Sequence, residues 1–119
     1  MKIVLVSQRV DEFPARKEVR DSLDQNMTKW LSACGHVAMP VPNNYADGLL
    51  TELLSQLTVS GIILSGGGVV GQPKERTKTE ETLLNFSRQE NVPVVGVCRG
   101  MQALLDKCGI VGQNLKGHV

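Results

Sequence analysis

Three short runs constrain the fold of this chain most: Ile3-Val4-Leu5-Val6, Gly61-Ile62-Ile63-Leu64 and Val94-Val95-Gly96-Val97. None carries a polar side chain, each is rich in β-branched residues, and each is too short for a helix. A strand that is apolar on both faces has to be covered on both faces, which is the situation of a strand inside a parallel sheet. Each run also ends in a polar or glycine-rich tip: Ser7-Gln8-Arg9, Ser65-Gly66-Gly67-Gly68, and Cys98-Arg99. Parallel strands require long crossovers, usually helical, and the intervening segments read that way. A helix is expected from Ala15 to Ala33, where Val19, Leu23, Met27, Trp30 and Leu31 share a face and Cys34-Gly35 ends it. Val37 to Val41 reads as a further strand, with Pro40 at its end or on an edge. A second helix is expected from Ala46 or Asp47 through Leu57, and a third, on the surface, over Lys74 to Gln89. The charge run Lys74 to Glu81 reads as a solvated helix face with i,i+4 pairs such as Arg76–Glu80. A last helix is expected from Gly100 to Lys107, with Cys108 in the core and Gly109 as cap. Such a βα alternation places ligands outside the carboxyl ends of the strands, where the polar tips converge.

Composition narrows the function. A chain of 119 residues suits one domain, and its 13 basic against 12 acidic residues leave a formal charge of +1. That balance gives no electrostatic grip on nucleic acid or anionic membrane, and 3% aromatics leave little for base stacking. The N-terminal apolar run is too short for a signal peptide, and no run approaches the ~20 residues of a membrane span. The three cysteines, Cys34, Cys98 and Cys108, form no C-x-x-C pair, so neither a disulfide framework nor a structural zinc site is expected. Cys34, His36, Cys98 and His118 lack ligand spacing, and His36 reads as an ordinary structural histidine. No metal and no cofactor are expected, and the cytoplasm is the expected compartment.

The chemistry concentrates at Gly96-Val97-Cys98-Arg99-Gly100, a G-x-C-x-G sequence between an expected strand and an expected helix. A nucleophile elbow needs that context, because a tight turn exposes the central side chain and small neighbours let strand and helix approach. The start of the following helix would favour a thiolate at Cys98, and the N–H of Arg99 could donate to a developing oxyanion. The spacing alone leaves open a buried cysteine whose flanking glycines merely make a turn. Gly66 to Gly71 also fits G-x-G-x-x-G, but it follows the third expected strand, Gln72-Pro73 delays the helix, and no acidic residue ends the next strand. A phosphate-binding loop fails because Gln72 stands where a lysine is required. Arg9, at the ligand edge, suits a phosphate or carboxylate, or equally a solvated loop.

The run Val95 to Gln102 resembles the nucleophile motif of class I glutamine amidotransferases, in particular their γ-glutamyl hydrolase branch. Ile62 to Gly67 resembles that family's oxyanion strand and loop, and Arg76-x-x-x-Glu80 followed by Leu83-Leu84 resembles a helix motif of the hydrolase branch. Ser7-Gln8-Arg9 and Gly117-His118-Val119 look most like its γ-glutamyl-CDP-amidate hydrolase type. The resemblance implies a flavodoxin-like three-layer α/β domain with a mainly parallel sheet. It implies that Cys98 attacks a γ-glutamyl amide to form a thioester, with the N–H groups of Gly67 and Arg99 holding the oxyanion. Gly66, Gln102 and Arg9 complete the candidate substrate-binding set. The family's histidine and glutamate lie downstream of the cysteine motif, beyond Val119. Residues 1–119 are therefore expected to be the N-terminal portion of such a domain, short of its last strands and weak or inactive alone. The open sheet edge would be covered by a second copy or a complementing C-terminal segment. The alternative is a non-catalytic glutamyl-binding or regulatory remnant.

Overall fold

The computed structural model describes residues 1–67, 73–98, 100 and 103. Four strands form one parallel sheet: β1 (Ile3–Val6), β4 (Val37–Pro40), β5 (Gly61–Leu64) and β6 (Val94–Gly96), in the order β4-β1-β5-β6. Two further strands, β2 (Arg9–Phe13) and β3 (Glu18–Ser22), pair antiparallel as a separate hairpin. Among the described residues, α1 (Gln25–Ala33), α2 (Leu49–Leu54) and α3 (Lys74–Glu90) are helices, and Gly100 and Ala103 are helical as well.

Side-chain alternation along β1 and β5 separates the core into two layers. Val4, Val6 and Ile63 face one way, packing with Leu31 of α1 and the partly buried Leu23, Met27 and Ala38. Leu5, Ile62 and Leu64 face the other way, onto Leu50 and Leu54 of α2 and Leu83 and Leu84 of α3. Each such buried side chain contributes about 1.5–3 kcal/mol of transfer free energy. The sheet is thus sandwiched between helices, which explains why its strands carry apolar residues at every position. From β1 the chain moves out to β4 and then returns to β5 on the other side of β1, so the connection reverses direction between β1 and β5. This is the flavodoxin-like α/β order, with its ligand crevice at the reversal. Among the described residues no helix is long and apolar enough to cross a membrane.

Two expectations are corrected. The first is the helix expected from Ala15: the chain forms the β2–β3 hairpin there, and α1 begins only at Gln25. Val10, Glu12 and Val19, Arg20 alternate along paired strands, Pro14 opens the connecting turn, and Lys17 adopts a left-handed φ of 54° that no helix tolerates. The true helix start is Asp24, whose side chain accepts from the Asn26 N–H at 2.8 Å. At the far end Gly35 takes φ 81° and the His36 N–H returns to the Leu31 carbonyl, so Gly35 caps α1 as expected. The second correction concerns two residues of the charge run on α3: Lys74, Glu75, Lys78 and Glu81 are exposed as expected, but Arg76 and Glu80 are not. Arg76 is 0% and Glu80 3% exposed, on one face with the buried Thr79, Leu83 and Leu84. The buried stripe continues past the apolar residues because Arg76 has acceptors waiting for it, described below.

The hairpin is tied down by polar contacts. Asn43, in a short 3₁₀ turn after β4, donates from its backbone and side chain to Asp21 at 3.0 and 2.8 Å and to the Gln8 carbonyl at 3.1 Å. Ser22 Oγ donates to Asp11 at 2.6 Å, and Arg9 Nε sits 2.9 Å from the same carboxylate. The Ser22 hydroxyl, then the Arg9 guanidinium, hold the Asp11 carboxyl below the usual carboxylate range. A depressed folded value stabilises the hairpin above the ordinary carboxylate range and loses that contribution as pH falls through the folded value. Ser22→Ala should therefore raise the Asp11 value, which a ¹³C titration of its carboxyl would show as a midpoint moved toward that of a free aspartate.

Candidate functional site

The carboxyl ends of the two strands at the reversal point are locked together. The Ser7 N–H extends the ladder to the Ile63 carbonyl at 3.0 Å. Ser7 Oγ accepts from the Ser65 N–H at 2.9 Å, and Ser65 Oγ donates to the Ser7 carbonyl at 2.5 Å. Both serines are buried. Beyond them, Arg76 reaches up from α3 to the same strand end. Its Nη2 donates to the carbonyls of Ser65 at 2.8 Å and Gly66 at 2.9 Å, and its Nη1 donates to that of Gly67 at 2.5 Å. One guanidinium thus gathers three successive carbonyls from two nitrogens held in one plane, a geometry that the single nitrogen of an ammonium does not reproduce.

On the next strand, Cys98 follows β6 by two residues. It is exposed and holds φ 50°, the left-handed region that costs a residue with a Cβ about 1–2 kcal/mol. The turn closes through Val97 N–H to Leu64 carbonyl and Gly100 N–H to Val97 carbonyl, both at 2.9 Å. Gly100 is already helical, so strand, cysteine and helix follow within a few residues. A Cβ built on Gly100 would lie 2.0 Å from the Leu64 carbonyl oxygen, so only glycine fits. A Cβ on Gly66 would lie 3.4 Å from Cys98 Cβ and 4.0 Å from its Sγ. The thiol therefore stands beside the loop that Arg76 grips.

Of the residues singled out from sequence, the structure brings together Cys98, Gly66, Gly67 and Arg9. Gly67 takes φ 91°, and the Arg9 side chain lies over it, with Cδ 2.8 Å from where a Cβ would be. Arg9, Ser65, Gly66 and Gly67 line an open cleft of about 520 Å³ together with Ser22, Leu23, Asp24 and Met27. Arg99 and Gln102 lie outside the described residues, as do Gly68 to Gln72, Cys108 and His118. His36 is not brought to the site: its Nδ1 is 2.9 Å from the Cys34 carbonyl, ahead of β4 at the amino end of the strands. Sequence reasoning placed Ser7 and Ser65 on the converging strand tips but missed their mutual hydrogen bonds, and it missed the buried role of Arg76. The signal for Arg76 was available, since 76, 79, 80, 83 and 84 form one i, i+3, i+4 ladder.

Fold and site define an α/β domain with a cysteine elbow beside the reversal of its sheet, facing a glycine loop. The family model of class I glutamine amidotransferases matches residues 17–116, and the chain belongs to that family. Its members are amidotransferases and amide hydrolases in general. A de novo designed Rossmann fold protein is similar over 91% of this chain and 97% of its own, at 16% identity and a TM-score of 0.46. No match is found among curated proteins.

Proposed function

We propose that the chain is a γ-glutamyl amide hydrolase domain, of the branch that cleaves γ-glutamyl compounds through a thioester on Cys98. The observation that carries this reading is the backbone of Cys98 itself: an exposed thiol held at φ 50° between β6 and a helix, at van der Waals distance from a glycine loop. A residue with a Cβ persists in that conformation only when the surroundings enforce it. Here Gly100 and Leu64 do so.

The chemistry follows. Cys98 Sγ, as thiolate, forms a bond to the δ-carbonyl carbon of the γ-glutamyl amide, and the carbonyl π pair moves onto oxygen. The N–H groups of Gly67 and Arg99 receive that oxyanion. Return of the pair expels the amine, which takes up a proton, and leaves a γ-glutamyl thioester. Water then adds to the thioester and releases glutamate and the thiol. Gly66, Gln102 and Arg9 serve the substrate, Arg9 from the hairpin side of the cleft.

The test uses L-γ-glutamyl-p-nitroanilide, whose first turnover releases coloured p-nitroaniline. One equivalent should appear per chain, with one glutamyl group on the Cys98 peptide by mass spectrometry. Cys98→Ser should lower the rate by about 10³-fold or more. A γ-glutamyl compound that raises the melting temperature without acylating Cys98 would sink the hydrolase reading and leave a glutamyl-binding domain.

A further inference from the structure

We infer that Arg76 is the positioning residue of the oxyanion loop: from the buried side of α3 it sets the direction of the Gly67 N–H. The inference rests on the hydrolase reading for its chemistry, but its geometry stands independently. Arg76 is fully buried, and its two terminal nitrogens hold the carbonyls of Ser65, Gly66 and Gly67. In an extended strand successive carbonyls point to alternate sides. Three consecutive ones converge here only because the loop leaves the strand conformation, with Gly67 at φ 91°. Within a planar trans peptide the C=O and the following N–H point in opposite directions. Pinning the Gly66 carbonyl onto Arg76 therefore turns the Gly67 N–H away from it, and pinning Ser65 does the same for the Gly66 N–H. A cation on the carbonyl side also polarises these peptides, which strengthens their N–H groups as donors.

The arrangement assigns three separate tasks to four side chains. Ser7 and Ser65 fix where the loop leaves the sheet. Arg76 fixes how the loop's peptides are rotated. Cys98, packed beside Gly66, supplies the sulfur. Arg76 touches no reacting atom, so it acts through Gly67. Its loss should slow the step in which negative charge forms on oxygen and leave other reactions of the thiol alone.

Iodoacetamide supplies the contrast. Its alkylation of Cys98 forms the Sγ–C bond as the C–I bond breaks, at a saturated carbon, with iodide leaving and no oxyanion. Arg76→Lys keeps the charge but lacks the two coplanar nitrogens that span the three carbonyls, and Arg76→Gln carries no charge into the interior should the buried lysine prevent folding. In the folded variant, acylation by L-γ-glutamyl-p-nitroanilide should fall about 10²-fold. Half-saturation and the rate of iodoacetamide alkylation should stay within about twofold of the parent. Equal losses in acylation and alkylation would mean that Arg76 only holds the fold, and unchanged acylation would mean that it positions nothing. Either result overturns the inference. If the parent chain itself does not acylate, the hydrolase reading fails instead, and ¹⁵N–¹H spectra decide the positioning. Displaced Gly66 and Gly67 amide resonances in Arg76→Lys or Arg76→Gln, with those of α1 unmoved, support it; unmoved glycine resonances overturn it.

Discussion

Gly100→Ala should fail to give a native fold, or give one whose melting temperature is lower by about 10 °C or more. The added Cβ would sit 2.0 Å from the Leu64 carbonyl oxygen, 2.6 Å from its carbon and 2.7 Å from its Cβ. Two of these three atoms are backbone, so no rotamer change relieves the clash. The Leu64 carbonyl cannot retreat freely either, because it accepts from the Val97 N–H at 2.9 Å and that bond extends the β5–β6 pairing. Relief requires moving the helix away from the sheet or breaking the strand register beneath Cys98. Overpacking a core typically costs 1–3 kcal/mol, and a backbone clash of this depth belongs at or beyond the upper end. Against a total stability on the order of 5–15 kcal/mol, that is a large fraction. Gly61→Ala is the matched control: its Cβ would meet the Pro93 carbonyl oxygen at 3.8 Å and Val4 at 3.9 Å, ordinary contacts, and its melting temperature should stay close to the parent's. Thermal denaturation followed by circular dichroism separates the two. A Gly100→Ala chain as stable as Gly61→Ala would refute the elbow geometry.

The contrast between these glycines shows what the sequence could and could not reveal. The parallel sheet was legible because strands buried on both faces leave no polar alternation, and Ile3–Val6 and Gly61–Leu64 are observed at the expected positions. The turn at Cys98 was legible because G-x-C-x-G between a strand and a helix is the context an elbow needs, although the spacing equally allowed a buried cysteine. The hairpin was not, because Val19, Leu23 and Met27 share helical spacing with Trp30 and Leu31, and spacing alone cannot tell that Val19 belongs to a strand and is 71% exposed. Asp24 as a helix cap was the competing local signal. Arg76 was misplaced for a different reason. A charge run is ordinarily solvated, and only the three-dimensional convergence of the Ser65, Gly66 and Gly67 carbonyls makes burial of a guanidinium favourable. The helical ladder 76, 79, 80, 83 and 84 marks which face of α3 is buried, but nothing along the chain names the carbonyls that Arg76 meets there.

Among the described residues, the exposed cysteines Cys34 and Cys98 offer the other large contrast, in which stability and reactivity should move oppositely. Cys98→Gly should abolish acylation by γ-glutamyl substrates and still melt higher than the parent. Cys98 holds φ 50°, a conformation that costs a residue with a Cβ about 1–2 kcal/mol and glycine nothing. Set against the ~0.5–1 kcal/mol that glycine loses in chain entropy, the substitution nets a gain of up to about 1.5 kcal/mol. Cys34, equally exposed, ends α1 at φ −85°, where glycine brings no relief. Cys34→Gly should therefore lose about 0.5–1 kcal/mol and leave acylation intact. Denaturant midpoints of the two variants, measured side by side, should fall on opposite sides of the parent. If both fall below it, Cys98 is not held against its conformational preference, and the argument that the fold pays to present this thiol collapses. Among the described residues, the other non-glycine positions at positive φ are Lys17 and Asn91, where such a conformation has a local purpose, after the hairpin's 3₁₀ turn and at the end of α3. Cys98 has no comparable local purpose. Its strain is what holds the sulfur out from the strand end and beside the glycine loop, where a carbonyl could be attacked.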